Sequence, residues 1–429
     1  MKRKVTMHNP KLKILVTVCC ISFFIFSLFL LTSDAKIYID ISSPGLKKAP
    51  IAIQDFIGPH GQEMSDIIRN DLDFTGLFSY IDKDAYLEKP SAPFNRKNWT
   101  PIRVETVLKG TSAEEKDLDV TATLYDVYSG EAILKHEYKT IKAFMRLLAH
   151  TISNDIYYHL TGNTGIFKTR MAFIGEEKGE KSIYLMDWDG GDMKKTSLKS
   201  NILISLRWSK DGSRLIYSAE RNRQWGIYLL DFKSMSERKV FSSLGTNIAG
   251  DFFPNGDEII LSSSREGNPN LYTVTLKNGN TTKLTSTYGI EVSPSVSPDG
   301  GRIAFVSDRG GSPQIYVMRR DGSGIKRITF DGTYNTSPNW SPKGDRIVFA
   351  SRRGTNQICI MNTDGTGLTQ LTTQGNNEDP SFSPDGRYIT FSSDRDKTRG
   401  VFIMRANGEA QKKISPQGLR AHGPRWSPN

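Results

Sequence analysis

The stretch VSPDGGRIAFVSDRGGSPQIYVMRRDGSGIKRIT, residues 296–329, holds the unit from which the rest of the chain can be read. It opens on a Ser-Pro-Asp-Gly turn at Ser297, runs through IAFVS from Ile303 and IYVM from Ile315, and turns again at Asp321-Gly322 before ending on Ile328-Thr329. Both runs are rich in β-branched and aromatic residues with period-two alternation, the pattern of short strands. Asp-Gly between two such runs is the residue pair that a tight hairpin demands.

The same turn recurs as WSKDG at Trp208, FFPNG at Phe252, WSPKG at Trp340 and FSPDG at Phe382, with a shortened RWSPN at the end of the sequence. Its second residue falls at Ser209, Phe253, Ser297, Ser341, Ser383 and Ser427, in steps of 44, 44, 44, 42 and 44. Four short antiparallel strands in about 44 residues make one propeller blade. Upstream, MAFI from Met171 and IYLM from Ile183 lead to Asp189-Gly190, one step before their counterparts, yet no first strand precedes them. The missing partner is the orphan strand at residues 423–428. Pairing the two closes a ring of six blades and removes open sheet edges. An open stack of β modules leaves those edges exposed, and a WD40 propeller would rest on the single dipeptide Trp188-Asp189.

Residues 36–165 carry no such repeat and mix periods, which predicts an α/β domain ahead of a propeller over residues 166–429. Strands are expected at residues 50–56 and 77–81, with a hairpin from residues 118–124 through Ser129-Gly130 to residues 132–138. Met64, Ile67, Ile68 and Leu72 recur at helical spacing before Gly76. Phe144, Leu147, Leu148, Ile152, Ile156 and Leu160 mark one face of a long second helix that stops at Thr161-Gly162. His150 and His159 lie on that helix nine residues apart, so they do not form an i, i+4 zinc pair and read as surface or boundary residues.

The first thirteen residues carry Lys2, Arg3, Lys4, Lys11 and Lys13, and an apolar stretch over residues 14–31 follows, closed by Ser33-Asp34-Ala35. This is the layout of a secretory signal over residues 1–35, with cleavage after Ala35; a retained membrane anchor is the competing reading. Cys19 and Cys20 leave with the signal, so the exported protein would be disulfide-free, with Cys359 a buried hydrophobe between Ile358 and Ile360.

Among 429 residues, 37 % hydrophobic and 24 % charged side chains exclude a disordered chain. The net charge of +11 holds +4 within residues 1–35, so about +7 is spread over the remainder and no nucleic-acid partner is expected. No G-x-S-x-G elbow occurs, and the repeat region holds one histidine, His422. The glycine-rich loop at residues 175–182 joins two blade strands and does not lead into a helix, as a phosphate loop would. Asp211, Asp299 and Asp385 recur with the turn and read as holding it. No catalytic residue, metal or cofactor is expected.

What varies is the loop leading into each first strand, at residues 200–204, 244–249, 287–292, 331–336, 374–379 and 417–422. All six should gather at one rim, where loops on a rigid scaffold carry recognition. That rim mixes Tyr288, Tyr334, Arg420 and His422 with Asn247, Asn335, Asn377, Glu291 and Glu378, types frequent in protein-binding anchors. A secreted hydrolase and a polysaccharide-binding module are the alternative readings.

The export signal, the α/β domain running into LTGNTGIFKTRMAFI at residues 160–174, KIYID at residues 36–40, Ala149-His150 and the six Ser-Pro-Asp-Gly blades together resemble the TolB family of the Tol-Pal system. The resemblance implies a non-enzymatic periplasmic protein, monomeric alone, that binds the lipoprotein Pal with its propeller rim and the inner-membrane protein TolA with its mature N-terminal strand. It would stand at the envelope membranes through those partners, serving outer-membrane integrity and constriction during division. Carried over, the Pal-facing loops include Thr246, Ala249 and Val292, and the TolA-facing segment is Lys36, Ile37, Tyr38, Ile39, Asp40 and Ile41. Alternation in that segment suits addition to a partner's sheet edge.

Overall fold

The computed structural model describes residues 48–428. The signal at residues 1–35 and the strand at residues 36–41 lie outside the described residues.

The N-terminal part is a five-stranded sheet of β1 (Ala49–Ile53), β2 (Phe78–Tyr80), β3 (Thr106–Glu114), β4 (Leu118–Asp126) and β5 (Ala132–Thr140), in the order β2-β1-β3-β4-β5. β1 runs parallel to both neighbours, whereas β3, β4 and β5 form an antiparallel meander. Helices α1 (Gly61–Thr75) and α2 (Met145–Thr161) pack on each other. α1 buries Met64, Ile67, Ile68 and Leu72, and ends where Gly76 takes a left-handed φ of 71°.

One strand has no counterpart in the sequence reading, and one expectation needs correction. β3 escapes sequence reading because TVLKGTSAE has only two large apolar residues, Val107 and Leu108, and owes its strand state to ladders on both sides. Its Gly110 admits the Phe56 ring, which a Cβ would approach to 2.5 Å. Phe144 and Leu147 do not share the buried face of α2: Phe144 ends a preceding 3₁₀ turn and both are exposed, while Met145, Leu148, Ile152, Ile156 and Leu160 are buried.

The remainder is six four-stranded antiparallel sheets. Their innermost strands are Leu203–Trp208, Asn247–Phe252, Glu291–Val296, Asn335–Trp340, Asn377–Phe382 and Arg420–Trp426, for blades 1 to 6 in that order. Each packs on the next and blade 6 on blade 1, so the ring is closed. Blade 6 is built from both ends of the region. Arg420–Trp426 pairs antiparallel with Arg170–Glu177, Trp426 opposite Met171 and Arg420 opposite Glu176. The seam is locked by Arg170 N donating to Ser427 Oγ (2.9 Å), Ser427 N to Arg170 O (2.8 Å) and Trp426 Nε1 to Thr169 Oγ1 (2.8 Å).

The repeated turns are explained by their bonds. Ser209, Ser297, Ser341 and Ser383 accept through Oγ from the backbone N–H of Arg214, Arg302, Arg346 and Tyr388, at 2.9, 2.9, 3.0 and 3.0 Å. Each serine also donates to a turn carboxylate: Asp211, Asp299, Asp345 or Asp385. In blade 2 the Phe253 ring is buried beneath the Arg320 guanidinium instead. The third-to-fourth-strand turns need glycine for a second reason. At Gly190, Gly322, Gly365 and Gly408 φ is 95, 85, 92 and 90°, and a Cβ would lie 2.3, 2.5, 2.7 and 2.9 Å from the carbonyl oxygens of Ile414, Leu284, Ile328 and Leu371 on the preceding blade. Blades therefore touch backbone to backbone.

Candidate partner-binding rim and domain junction

Equivalent register positions begin the six inner strands: Leu203, Asn247, Glu291, Asn335, Asn377 and Ala421, opposite Ala219, Ser263, Ser307, Ser351, Ser393 and Gly175. The variable loops thus lie together at one end of the ring. The four polar residues at these positions in blades 2 to 5 are wholly buried and hold the loops from inside. Asn247 Nδ2 donates to Ser243 O (2.8 Å) and Trp225 O (3.2 Å), and its Oδ1 accepts from Ser263 (2.6 Å). Asn335 Nδ2 donates to Gln314 Oε1 (2.7 Å) and Asp331 O (2.9 Å). Asn377 Nδ2 bonds Gln357 and Gln374 (both 2.9 Å) and its Oδ1 accepts from Arg395 (2.9 Å). Glu291 takes Ser307 Oγ (2.9 Å) and the Arg309 guanidinium. Ala249 is also buried, its N–H donating to Ser218 Oγ at 2.7 Å.

The outward groups are others. Tyr288 is fully exposed, and Leu244, Ile290 and Phe330 protrude from the same set of loops. Sequence reading passed over these three because an isolated apolar residue in a loop carries no periodic signal. Thr246, Val292 and Tyr334 are half-buried, Tyr334 under the Arg352 guanidinium at 4.6 Å. Glu378 is engaged by Arg399 and Asn356, and exposed Arg420 lies 3.7 Å from Glu176. Burial, with Lys181 and Arg399 nearby, lowers the pKa of half-buried His422 against the opposing pull of Asp379.

At the opposite end, the strand-connecting turns of blades 5 and 6 receive the N-terminal domain. Phe74 stacks between Trp188 and Tyr388, at 5.0 and 5.1 Å between ring centres. Arg387 donates to Tyr157 Oη (2.6 Å) and Arg405 to Phe74 O (3.3 Å). From α2, Arg146 bonds Asp187 (2.8 Å) and both oxygens of Asp189. His150, expected at a surface or boundary, is buried at this junction. Its Nδ1 meets Asp71 of α1 at 2.8 Å, and its Nε2 lies 3.8 Å from Asp187.

Burial works against charge on His150, but Asp71 and then Asp189 outweigh it and hold the imidazole pKa above 6.5. Asp189 stays low despite burial because Arg146 grips it. Asp71, His150 and Asp189 have the donor types of a cation site, but the Arg146 guanidinium already occupies Asp189 and the imidazole bonds Asp71 directly. They read as an ion network that fixes α2 to the propeller.

With this geometry in view, the TolB β-propeller domain model matches residues 157–429 and the TolB amino-terminal domain model matches residues 37–133. The chain belongs to the TolB family. It is similar to the Tol-Pal system protein TolB of Desulfosudis oleivorans, 33 % identical over 197 residues, covering 42 % of this chain and 45 % of that protein. The Tol-Pal system protein TolB of Dechloromonas aromatica is 30 % identical over 189 residues, covering 43 and 44 %. The aligned stretches span a little under half the length of these curated relatives. The crystal structure of TolB from Acinetobacter baumannii superposes with a TM-score of 0.82 at 26 % identity, covering 89 % of this chain and 97 % of that one. The chain thus carries both the amino-terminal and the propeller domain of the TolB family.

Proposed function

We propose that this protein is a periplasmic adaptor that binds Pal with the rim of its propeller and TolA with residues 36–41, and so serves outer-membrane integrity and constriction during division. The observation that carries the reading is the polarity of the ring. One end receives the N-terminal domain on blades 5 and 6, while the other presents variable loops with Tyr288, Leu244 and Phe330 outward on buried amide anchors. Aromatic and apolar groups held rigidly lose little conformational freedom on binding, which is what a protein-docking surface needs.

The two partners are separable by experiment. Deleting residues 36–41 is expected to abolish capture of TolA from detergent-solubilised envelopes and leave capture of Pal unchanged; loss of both, or of neither, contradicts the division. N-terminal sequencing of the exported protein should begin at Lys36, and a start at Met1 would mean an anchored form.

A further inference from the structure

Each inner strand places one residue, the one before its last, on the wall of the central channel. By register these are Arg207, Asp251, Ser295, Asn339, Ser381 and Arg425, opposite Ile216, Ile260, Ala304, Val348, Thr390 and Ala172. All six line a cavity of about 260 Å³. Three of them are spent on the next blade. Asp251 Oδ2 accepts from Val296 N (3.0 Å), Asn339 Oδ1 from Phe382 N (2.9 Å) and Ser381 Oγ from Trp426 N (3.4 Å).

An arginine has no acceptor and cannot do this. Arg207 and Arg425 occupy the position in blades 1 and 6, which adjoin where Trp208 Nε1 donates to Arg425 O at 3.1 Å. They are 7 and 6 % exposed. Their bonds reach backbone carbonyls alone: Arg207 to Leu206 O (2.8 Å), and Arg425 to Pro424 O (2.7 Å) and Asp379 O (3.0 Å). The Nε of each is buried without a hydrogen-bond partner. Among the described residues neither arginine has a carboxylate within ion-pair distance. The channel carboxylates Asp251 and Asp379 attract them from further off, and Asp251 is held by the backbone N–H groups of Phe252 and Val296. Lys210 adds a further positive charge to the lining. Two buried cations on adjoining strands of one polar cavity are costly unless an anion joins them, and guanidinium groups match the oxygens of carboxylate and phosphate.

We propose that the propeller channel binds one small oxyanion, a phosphate or a carboxylate, between the guanidinium groups of Arg207 and Arg425. The inference stands apart from the partner assignment, because it uses the channel wall and not the rim.

Equilibrium dialysis of the exported protein against radiolabelled inorganic phosphate, with acetate as competitor, tests it. The expected result is one phosphate per chain. R207M and R425M should each weaken binding roughly 30-fold or more, the loss expected when one side of a buried charge pair is truncated, while unfolding as cooperatively as the parent. Displacement by acetate at similar concentration would assign a carboxylate-tolerant site, and failure of acetate to compete would assign a tetrahedral-anion site. Should either variant fail to fold, crystals of the unmutated protein soaked in phosphate should show the ion between the two side chains. The proposal is overturned if the parent binds neither anion, if both variants bind phosphate as the parent does, or if soaked crystals place none there.

Discussion

At the scale of the residue, burial separates two roles that sequence alone merged. Asn247 and Tyr288 both belong to rim loops, but one is wholly enclosed by Ser243, Ser263 and the Trp225 carbonyl and the other stands free. Truncating Tyr288 to alanine should change stability by no more than about 0.5 kcal/mol, the range of exposed sites, while costing Pal binding about 1 kcal/mol or more if it is an anchor. N247A should instead lower the free energy of unfolding by about 1–3 kcal/mol, because partners inside the protein lose their bonds. Chemical denaturation and calorimetric titration with purified Pal read the two effects separately. A Tyr288 variant that binds Pal as the parent does removes that residue from the surface. The asparagines and the tyrosine were all visible in the sequence as rim residues. Which faced outward was not, since a loop residue's burial depends on neighbours that folding brings to it.

At the scale of the element, α2 meets the propeller through titratable side chains. Around His150 stand Asp71 from α1, Asp187 and Asp189 from the blade 6 turn, and Arg146 from α2 itself. With the folded pKa held above 6.5, the stabilisation from a charged His150 is fully present below that value and is lost as pH rises through the folded pKa. The low pKa of Asp189 acts in the other direction, its contribution fading only in acid. The thermal midpoint should therefore fall between mildly acidic and mildly alkaline pH in the parent, and H150Q should flatten that slope while losing about 3 kcal/mol of stability, the cost of breaking a buried pair. Parallel pH curves for the two proteins would exclude His150 as the source. Helical periodicity located α2 but misplaced one edge of its buried stripe, at Phe144 and Leu147, because the chain enters through a 3₁₀ turn that shifts the phase. Strand β3 shows the converse case, a strand made by its neighbours more than by its own residues.

At the scale of the whole molecule, the seam of blade 6 is the ring's only covalently open joint among the described residues, and its strength rests on residues 420–428. Removing them strips an inner strand from Arg170–Glu177, the Ser427 clasp and the Trp426 packing together. The expected outcome is loss of the cooperative unfolding transition and exposure of sheet edges, seen as aggregation on gel filtration. A truncated protein that melts at the parent's midpoint would show that closure contributes nothing.

The sequence by itself determined the number of blades, their size and the closing partner, because period-two alternation, turn serines and turn glycines answer to local backbone geometry that recurs every 44 or 42 residues. Only the tertiary structure decided that Asn247, Glu291, Asn335 and Asn377 face inward, that His150 meets Asp71 across 79 positions, and that Arg207 and Arg425 share a channel wall. The physical reason is range. These are encounters between residues remote in the chain, and no pattern of neighbours along the backbone encodes which side chain will stand opposite them or how much water will be left between.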